Sequence, residues 1–558
     1  MGLTRREFLQ TSAAGLAGIS LYSLLGQRAS AAPEQNRPNI LWVSIEDLNP
    51  HLGCYGDPIA QSPTIDRLAE DGMRFTNAFT PAGVCAPCRS SIITGMYQNS
   101  IGTQHMRTSH RAPGLPTPYE AVPPPYVKTF TEYLRAAGYY CTNNKKTDYQ
   151  FGLPFTAWDE SSGEAHWRNR PDPNQPFFAV FNFTTTHESQ NWKEPEQTDP
   201  AVVEVPPYYP DTLPVRKDLA RQYDNIALVD KQIGEVLSQL EADGLREETI
   251  VFFWSDHGDG LPRAKRWLYD SGLHVPLIVR WPGEITPGTV NENMVSFVDL
   301  GPTVLSMAGV PVPVHMQGKA FLGDQAAEPR EYIYGARDRF DESYDMVRAV
   351  RDKRYKYIRN YYPNQPYVLH LPYRNRNRTM QELIRLDTEG KLTGPQKLWM
   401  RDTRPPEELY DTEKDPYEIH NLANDPKYKS ILQRKRSEMD RWMEEIDDLG
   451  DIPEEQMVER MWPGHVQPET HVPLILQYGS TDMEPLTAVN APQPVTVVLY
   501  SSTQGASLGY TTDTGDNPAW QLYTGPITPP RGKTTLRAKA IRYGYKESGE
   551  SVARFSIG

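Results

Sequence analysis

Cysteine is scarce: the 558-residue chain has four, at 54, 85, 88 and 141. Only Cys85 and Cys88 are spaced as a C-x-x-C pair. A zinc site would need a second such pair, which Cys54 and Cys141 do not supply. A thioredoxin-like redox site would sit early in a small βαβ domain, and nothing in this chain is that small. Basic charge is short as well, with 58 Lys and Arg against 71 Asp and Glu and a net charge of −13. Without a basic field to gather phosphates, nucleic acid is excluded as a bulk partner, although a small anion can still sit in a local basic pocket. No run past the N-terminus approaches the ~20 apolar residues of a membrane span, so no span is expected in the mature protein. Neither an internal repeat nor a low-complexity tract stands out. What is present is an ordinary soluble composition, 38% hydrophobic and 23% charged, long enough for two to four domains. Fifty prolines imply long ordered loops.

The first 31 residues resemble a twin-arginine signal. Thr4-Arg5-Arg6-Glu7-Phe8-Leu9 precedes a weakly apolar run, and Ala29-Ser30-Ala31 supplies an A-x-A cleavage site. This resemblance implies a bacterial protein handed folded to the Tat export machinery, and a periplasmic or secreted destination.

From residue 39 onward, short apolar runs end in polar chemistry. Asn39–Ile45 leads into Glu46-Asp47. Tyr139-Tyr140-Cys141 leads to Lys145, Lys146 and Asp148. Phe177–Phe183 ends near His187, and Thr249–Trp254 runs into Ser255-Asp256-His257-Gly258. Between them lie helical patterns: Ser62-Pro63 to about Asp71, Arg89 to Met96, Val127 to Ala137, and Lys217 to Asp243 with Gly244 as its stop. Buried strands alternating with helices predict an α/β fold, a mostly parallel sheet with helices on both faces. Ligands of such sheets gather at the carboxyl ends of the strands, where these charged residues fall.

Cys85, Pro87 and Arg89 form C-x-P-x-R, followed by Thr94-Gly95. This spacing resembles the signature of the type I sulfatases of the alkaline-phosphatase-like superfamily, in which the cysteine is oxidised to formylglycine by a maturation enzyme. The resemblance implies a hydrolase that removes sulfate from a sulfated carbohydrate. It implies a metal site of Glu46, Asp47, formylglycine 85, Asp256 and His257 around one divalent cation, Ca2+ with Mg2+ or Mn2+ as alternatives. Glu46 stands where the family usually has aspartate, and His257 brings nitrogen to a site of oxygens. The resemblance further implies that Arg89 orients the formylglycine, that Lys146 and Lys265 bind sulfate, and that His187 faces the leaving group. Asp148 stands where the family has a histidine, which leaves open which group is the base: Asp148 either takes the proton of the formylglycine hydroxyl or binds a substrate hydroxyl; Lys145 is expected to be solvated. A phosphomonoester, phosphodiester or phosphonate hydrolase on the same fold is the enzymatic alternative, and a glycan-binding protein with a decayed site the other. O- and N-linked sulfate both stay open.

These residue types suit the chemistry. A sulfate monoester needs an activated oxygen nucleophile, cations around its oxygens and a proton for the departing alkoxide. A hydrated aldehyde offers two hydroxyls, one to attack and one to expel sulfate afterwards, which a serine could not do.

Along the chain, residues 32–330 are assigned to the catalytic domain and 331–450 to a smaller α+β subdomain. Within the latter, Val347–Val350 and Tyr355–Ile358 form a hairpin candidate. Residues 451–485, rich in Pro, Glu and Met, read as a linker, and 486–558 as an all-β sandwich. The pieces Tyr510-Thr511-Thr512-Asp513 and Tyr523-Thr524-Gly525-Pro526-Ile527 are similar to the C-terminal β-sandwich of chitobiase-type glycosidases. Such a module is expected to be a structural cap rather than a carbohydrate binder.

Overall fold

A computed structural model describes residues 37–558. The signal segment expected at 1–31 lies outside the described residues. Among the described residues, no helix is long and apolar enough to cross a membrane.

Eight strands form the main sheet: β1 (Asn39–Ile45), β2 (Met73–Phe79), β3 (Tyr140–Asn144), β4 (Glu160–Ser162), β5 (Phe177–Phe183), β6 (Thr249–Ser255), β7 (Leu277–Arg280) and β8 (Thr289–Ser296). Their spatial order is β4-β3-β5-β1-β6-β7-β2-β8. All neighbours are parallel except at β7, which runs antiparallel to both β6 and β2. The sheet is therefore mostly parallel, as expected, with β7 as its one reversed strand. A short buried apolar run carries no signal of its direction, so this reversal is invisible in the sequence.

Side chains of β1 alternate between two cores, because successive residues of a strand point to opposite faces. Leu41, Val43 and Ile45 meet α1 (Pro63–Glu70) and the long α4 (Leu213–Ala242) through Ile65, Leu68, Ile226, Val229 and Ile233. Ile40 and Trp42 pack toward α2 (Cys85–Thr94), α3 (Phe130–Ala136) and α5 (Leu300–Met307) through Ile92, Phe130, Leu134, Leu300 and Val304. Pairing in register brings Ile45 of β1 opposite both Phe183 of β5 and Ser255 of β6. Three adjacent parallel strands thus end at one level, and their following loops share one space.

A second, antiparallel sheet has the order β12-β11-β10-β9, built from β9 (Ile333–Arg337), β10 (Val347–Arg351), β11 (Tyr355–Asn360) and β12 (Glu407–Asp411). The hairpin expected at 347–358 is β10 with β11. The helices α6 (Arg378–Thr388) and α7 (Lys429–Glu445) accompany this sheet.

The stretch read as a linker is not one throughout. It contains α8 (Glu454–Met461) and β13 (Leu474–Gln477). The helix is pinned through buried Glu454, whose carboxylate accepts from Arg339 at 2.6 Å and from the Tyr119 and Tyr344 hydroxyls at 2.8 Å. Only Met457 and Val458 of this helix are buried apolar residues, hence its linker-like composition. Beyond it, β13 pairs with β15 (Val497–Tyr500). A five-stranded sheet follows, in the order β14-β19-β18-β16-β17, from β14 (Ala488–Ala491), β16 (Ser507–Thr511), β17 (Gln521–Leu522), β18 (Gly532–Ile541) and β19 (Ser551–Ile557). The two pack across a shared core that includes Ile475, Leu499, Leu536 and Phe555.

Candidate active site

The helix expected from Arg89 starts earlier, at Cys85, which is its buried first residue. Arg89 follows one turn later on the same face, as the 3.6-residue period requires. Its Nε donates to Asp256 Oδ2 at 3.0 Å and one amino group to Asn182 Oδ1 at 2.9 Å. All four cysteines are free thiols. Cys88 is engaged elsewhere: its sulfur accepts from the Thr80 hydroxyl at 2.6 Å and donates to the Asp256 carbonyl at 2.9 Å. Burial pushes the Cys88 thiol's pKa up, so it stays protonated.

Around Cys85 the strand ends converge. Ligand atoms of Glu46, Asp47, Cys85 and His187 lie within 4.8 Å of one another, and so do those of Cys85, Asp256 and His257. His257 Nε2 stands 3.3 Å from Cys85 Sγ, 2.9 Å from Asp47 Oδ1 and 3.7 Å from Asp256 Oδ1. Asp47 adopts a left-handed backbone, φ 52°, a strained state for a non-glycine residue. Its carboxylate meets His257, Lys265 and the Glu188 backbone N–H. Opposite it, Gly260 has no substitute: a Cβ there would come within 2.9 Å of both Asp47 Oδ2 and the Glu188 Cα.

The donor set suits a hard cation. Glu46, Asp47, Asp256 and His257 are buried, and among the described residues Glu46 Oε2 has no hydrogen-bond donor. Buried carboxylate oxygens without donors are costly unless a cation meets them. Without one, burial would keep His257 neutral, but Asp256, Asp47 and Cys85 overcome burial and raise its pKa to about 10. A proton then does the work of a metal ion.

The lysines close the site. Lys146 Nζ is 2.5 Å from Glu46 Oε1 and 3.7 Å from Asp148 Oδ2. Lys265 Nζ is 2.6 Å from Asp47 Oδ2 and 3.1 Å from Glu188 Oε1. Burial opposes charge on both, yet Cys85 and Glu46 beside Lys146, and Asp47, Cys85 and Glu188 beside Lys265, hold their pKa values above the ordinary lysine range. His187 is half-buried and caps a short 3₁₀ turn: its Nδ1 accepts from the Ser189 backbone N–H. The proton of the neutral ring is therefore on Nε2, facing the site. Burial and Lys265 lower the His187 pKa.

Asp148 is not among the ligand atoms grouped around Cys85; its partner is Lys146. Several participants were not picked out in the sequence. Asn182 accepts from Ser44 and Arg89 and donates to Asn143 Oδ1, tying three strands together. It is the one polar residue in the apolar run Phe177–Phe183, a signal that was available. Glu188 accepts two bonds from Arg266, at 2.9 and 3.1 Å, and Arg266 in turn holds Asp341. These two carboxylates come from distant segments, and no local pattern announces the pairing.

The Sulfatase family model matches residues 38–174 and 169–310, and the model for the N-sulphoglucosamine sulphohydrolase C-terminal region matches 262–386. An ulvan-active sulfatase of Formosa agariphila is 44% identical over 94% of this chain and 92% of its own. The chain belongs to the sulfatase family. It is a sulfuric ester hydrolase acting on a sulfated glycan. Human N-sulphoglucosamine sulphohydrolase is 28% identical, over 74% of this chain and 90% of its own. Among solved structures, a 2-O GAG sulfatase superposes with TM-score 0.54 at 22% identity, covering 74% of this chain and 93% of its own. The phosphonate monoester hydrolase of Agrobacterium radiobacter gives 0.55 at 18%, covering 74% and 96%. The alkaline-phosphatase-like fold is thus common to both chemistries, and the sequence relationship, not the fold, decides for sulfate. Sulfatases generally use a divalent metal ion, and the cluster above is a possible site for it.

Proposed function

We propose that this sulfatase removes sulfate esters from an ulvan-type glycan outside the cytoplasm, using Cys85 after its conversion to formylglycine. The observation that carries the substrate is the 44% identity across nearly the whole chain with an ulvan-active sulfatase. The twin-arginine pattern at 1–31 supports export through the Tat machinery to the periplasm or beyond. The thiol of Cys85, at the head of its helix and bound neither to Cys88 nor in a disulfide, is the form a maturation enzyme needs.

Each residue then has a part. Arg89, fixed by Asp256 and Asn182, orients the hydrated aldehyde at 85. Lys146 and Lys265 receive the sulfate oxygens, their charges secured by Glu46, Asp47 and Glu188. One hydroxyl of the diol, its proton released to solvent, attacks sulfur as its oxyanion, and the bond from sulfur to the sugar oxygen breaks. His187 Nε2–H hydrogen-bonds the departing oxygen, while Lys265 supplies its proton. The second hydroxyl returns a proton to Lys265, the C=O bond reforms, and sulfate leaves; water rehydrates the aldehyde. A divalent cation held by Glu46, Asp47, Asp256 and His257, for which we take calcium because carboxylate oxygens predominate, would lower the pKa of the attacking hydroxyl. Asp148 steadies Lys146.

The test is sulfate release, followed by ion chromatography, from ulvan and from an N-sulfoglucosamine-containing glycan. Release from ulvan supports the proposal. Release from the N-sulfated glycan alone would transfer the enzyme to N-linked sulfate.

A further inference from the structure

Beside His187, the rim of the site holds side chains that the reaction does not use. The Tyr373 ring, from the segment leading into α6, lies 6.4 Å from the His187 ring. Trp192 meets it edge-on at 5.0 Å. Two guanidinium groups lie near the Tyr373 ring. The Arg107 carbon is 5.8 Å from its centroid, and the Arg376 carbon 5.7 Å from it and 5.4 Å from Trp192. Arg107, Trp192 and the Tyr373–Arg376 turn come from distant parts of the chain and meet here.

Neither arginine is used up by its surroundings. Arg107 gives its Nε to Asp341 at 3.2 Å, and its amino groups have no partner among the described residues. It lies close enough to Cys85 and Asp148 for their charges, after that of Asp341, to raise its pKa against burial. Arg376 is exposed, and among the described residues no carboxylate pairs with it. In a chain of net charge −13, two under-committed arginines on aromatic rings at the mouth of an anion-processing site stand out. Aromatic stacking pre-orders a guanidinium and strips part of its water, leaving the N–H fork free for a planar anion. The half-buried tyrosine beside them offers a flat ring suited to packing on a sugar.

We propose that Arg107, Tyr373 and Arg376 form a subsite for an anionic sugar adjoining the one that loses its sulfate. Tyr373 packs against the ring, and the arginines take a carboxylate or a second sulfate on it. The placement rests on His187 as the leaving-group contact. The enzyme is thereby selective for the charge of the neighbouring sugar as well as for the ester it cleaves.

The experiment uses the matured full-length enzyme and three disaccharides with the same sulfated sugar. The neighbour carries a carboxylate in one, a second sulfate in another, and no charge in the third. The wild type should favour at least one charged neighbour by about tenfold in kcat/KM, mostly through KM, and lose that preference at high salt. Arg376→Ala should bring the preference to within about twofold, Arg376→Lys should restore part of it, and Arg107→Ala should act in the same direction. Whichever charged compound is preferred identifies the anion. Equal kcat/KM for all three in the wild type, or an unchanged preference in Arg376→Ala, would overturn the subsite. Failure to desulfate any of the three would instead overturn the placement of the reaction itself.

Discussion

His257 Nε2 and Asp47 Oδ1 face each other at 2.9 Å in a fully buried site, while the other ring nitrogen of His257 lies 2.9 Å from the Gly258 carbonyl. A backbone carbonyl can only accept, so Nδ1 carries a proton. In the neutral ring Nε2 then presents a lone pair to a carboxylate oxygen. Two lone pairs at that separation need a positive charge between them. The backbone has thus fixed the tautomer that suits a metal ligand, as carbonyl partners of ligating histidines do.

The metal prediction follows from this pair. Asp47→Ala or Asp256→Ala should abolish stoichiometric cation binding, measured by elemental analysis, and reduce activity by more than about a hundredfold. Calcium retained at one per chain in both variants would show that these residues are not its ligands.

At Cys85, the mass of the peptide spanning residues 85–89 in active enzyme should show the aldehyde or its hydrate. A Cys88→Ser variant should stay active, because a hydroxyl can still donate to the Asp256 carbonyl as the thiol does. Fully active enzyme with an unmodified Cys85 thiol would contradict the scheme.

Much of this site is written in the sequence, and the reason is geometric. Strands such as Thr249–Ser255 are buried on both faces, so their apolar runs are unbroken and their ends unmistakable. A parallel arrangement then forces the next residues to one side of the sheet, where Glu46, Lys146, His187 and Asp256 collect. Less legible is whatever depends on tertiary pairing. Glu188 with Arg266, and Glu454 with Arg339, are buried ion pairs between remote segments, and either partner alone resembles a solvated charge. The reversed β7 and the helix inside 451–485 were hidden for the same reason: neither direction nor a buried carboxylate leaves a periodic trace.

Glu188 gives a pH prediction. Burial would raise its pKa, but Arg266 and Lys265 outweigh burial and hold it at about 2, below the usual glutamate value of 4.5. A depressed carboxylate pKa contributes stability that is fully present above about 4.5 and lost as pH falls toward 2. Glu188→Gln should therefore lower the unfolding midpoint at pH 7, and the gap to wild type should narrow steadily between pH 4.5 and 2. A gap independent of pH would assign the loss to packing.

For Asp148, the expectation that it serves as the base of the formylglycine hydroxyl can be set against its position. It contacts Lys146 at 3.7 Å and is absent from the atoms clustered on Cys85. We therefore expect Asp148→Asn to raise KM several-fold without a pre-steady-state burst. A burst followed by slow turnover would instead mark stalled sulfate expulsion and restore the base assignment.

The C-terminal β module reaches the same loop through Tyr543. This residue is fully buried, and its hydroxyl accepts from the Thr129 backbone N–H at 3.2 Å. Its ring stacks on Phe151 at 5.2 Å, and Phe151 lies 5.8 Å from Tyr149, the neighbour of Asp148. Lys128 donates to Gly505 and Ser507, and Arg135 to Trp520, so the contact is broad. Residues 145, 148 and 150 all hold left-handed backbones, a strained segment that needs outside support to keep Lys146 in place. Tyr543→Ala should cost about 3–5 kcal/mol of stability, the usual range for an aromatic cavity. It should also lower kcat, because the loop loses its backing. Tyr543→Phe keeps the ring and forfeits only a hydrogen bond worth about 1 kcal/mol, so its kcat should match wild type. The check is thermal unfolding together with steady-state kinetics at a temperature where both variants are folded. A destabilised Tyr543→Ala enzyme with unaltered kcat and KM would make the module a cap and nothing more.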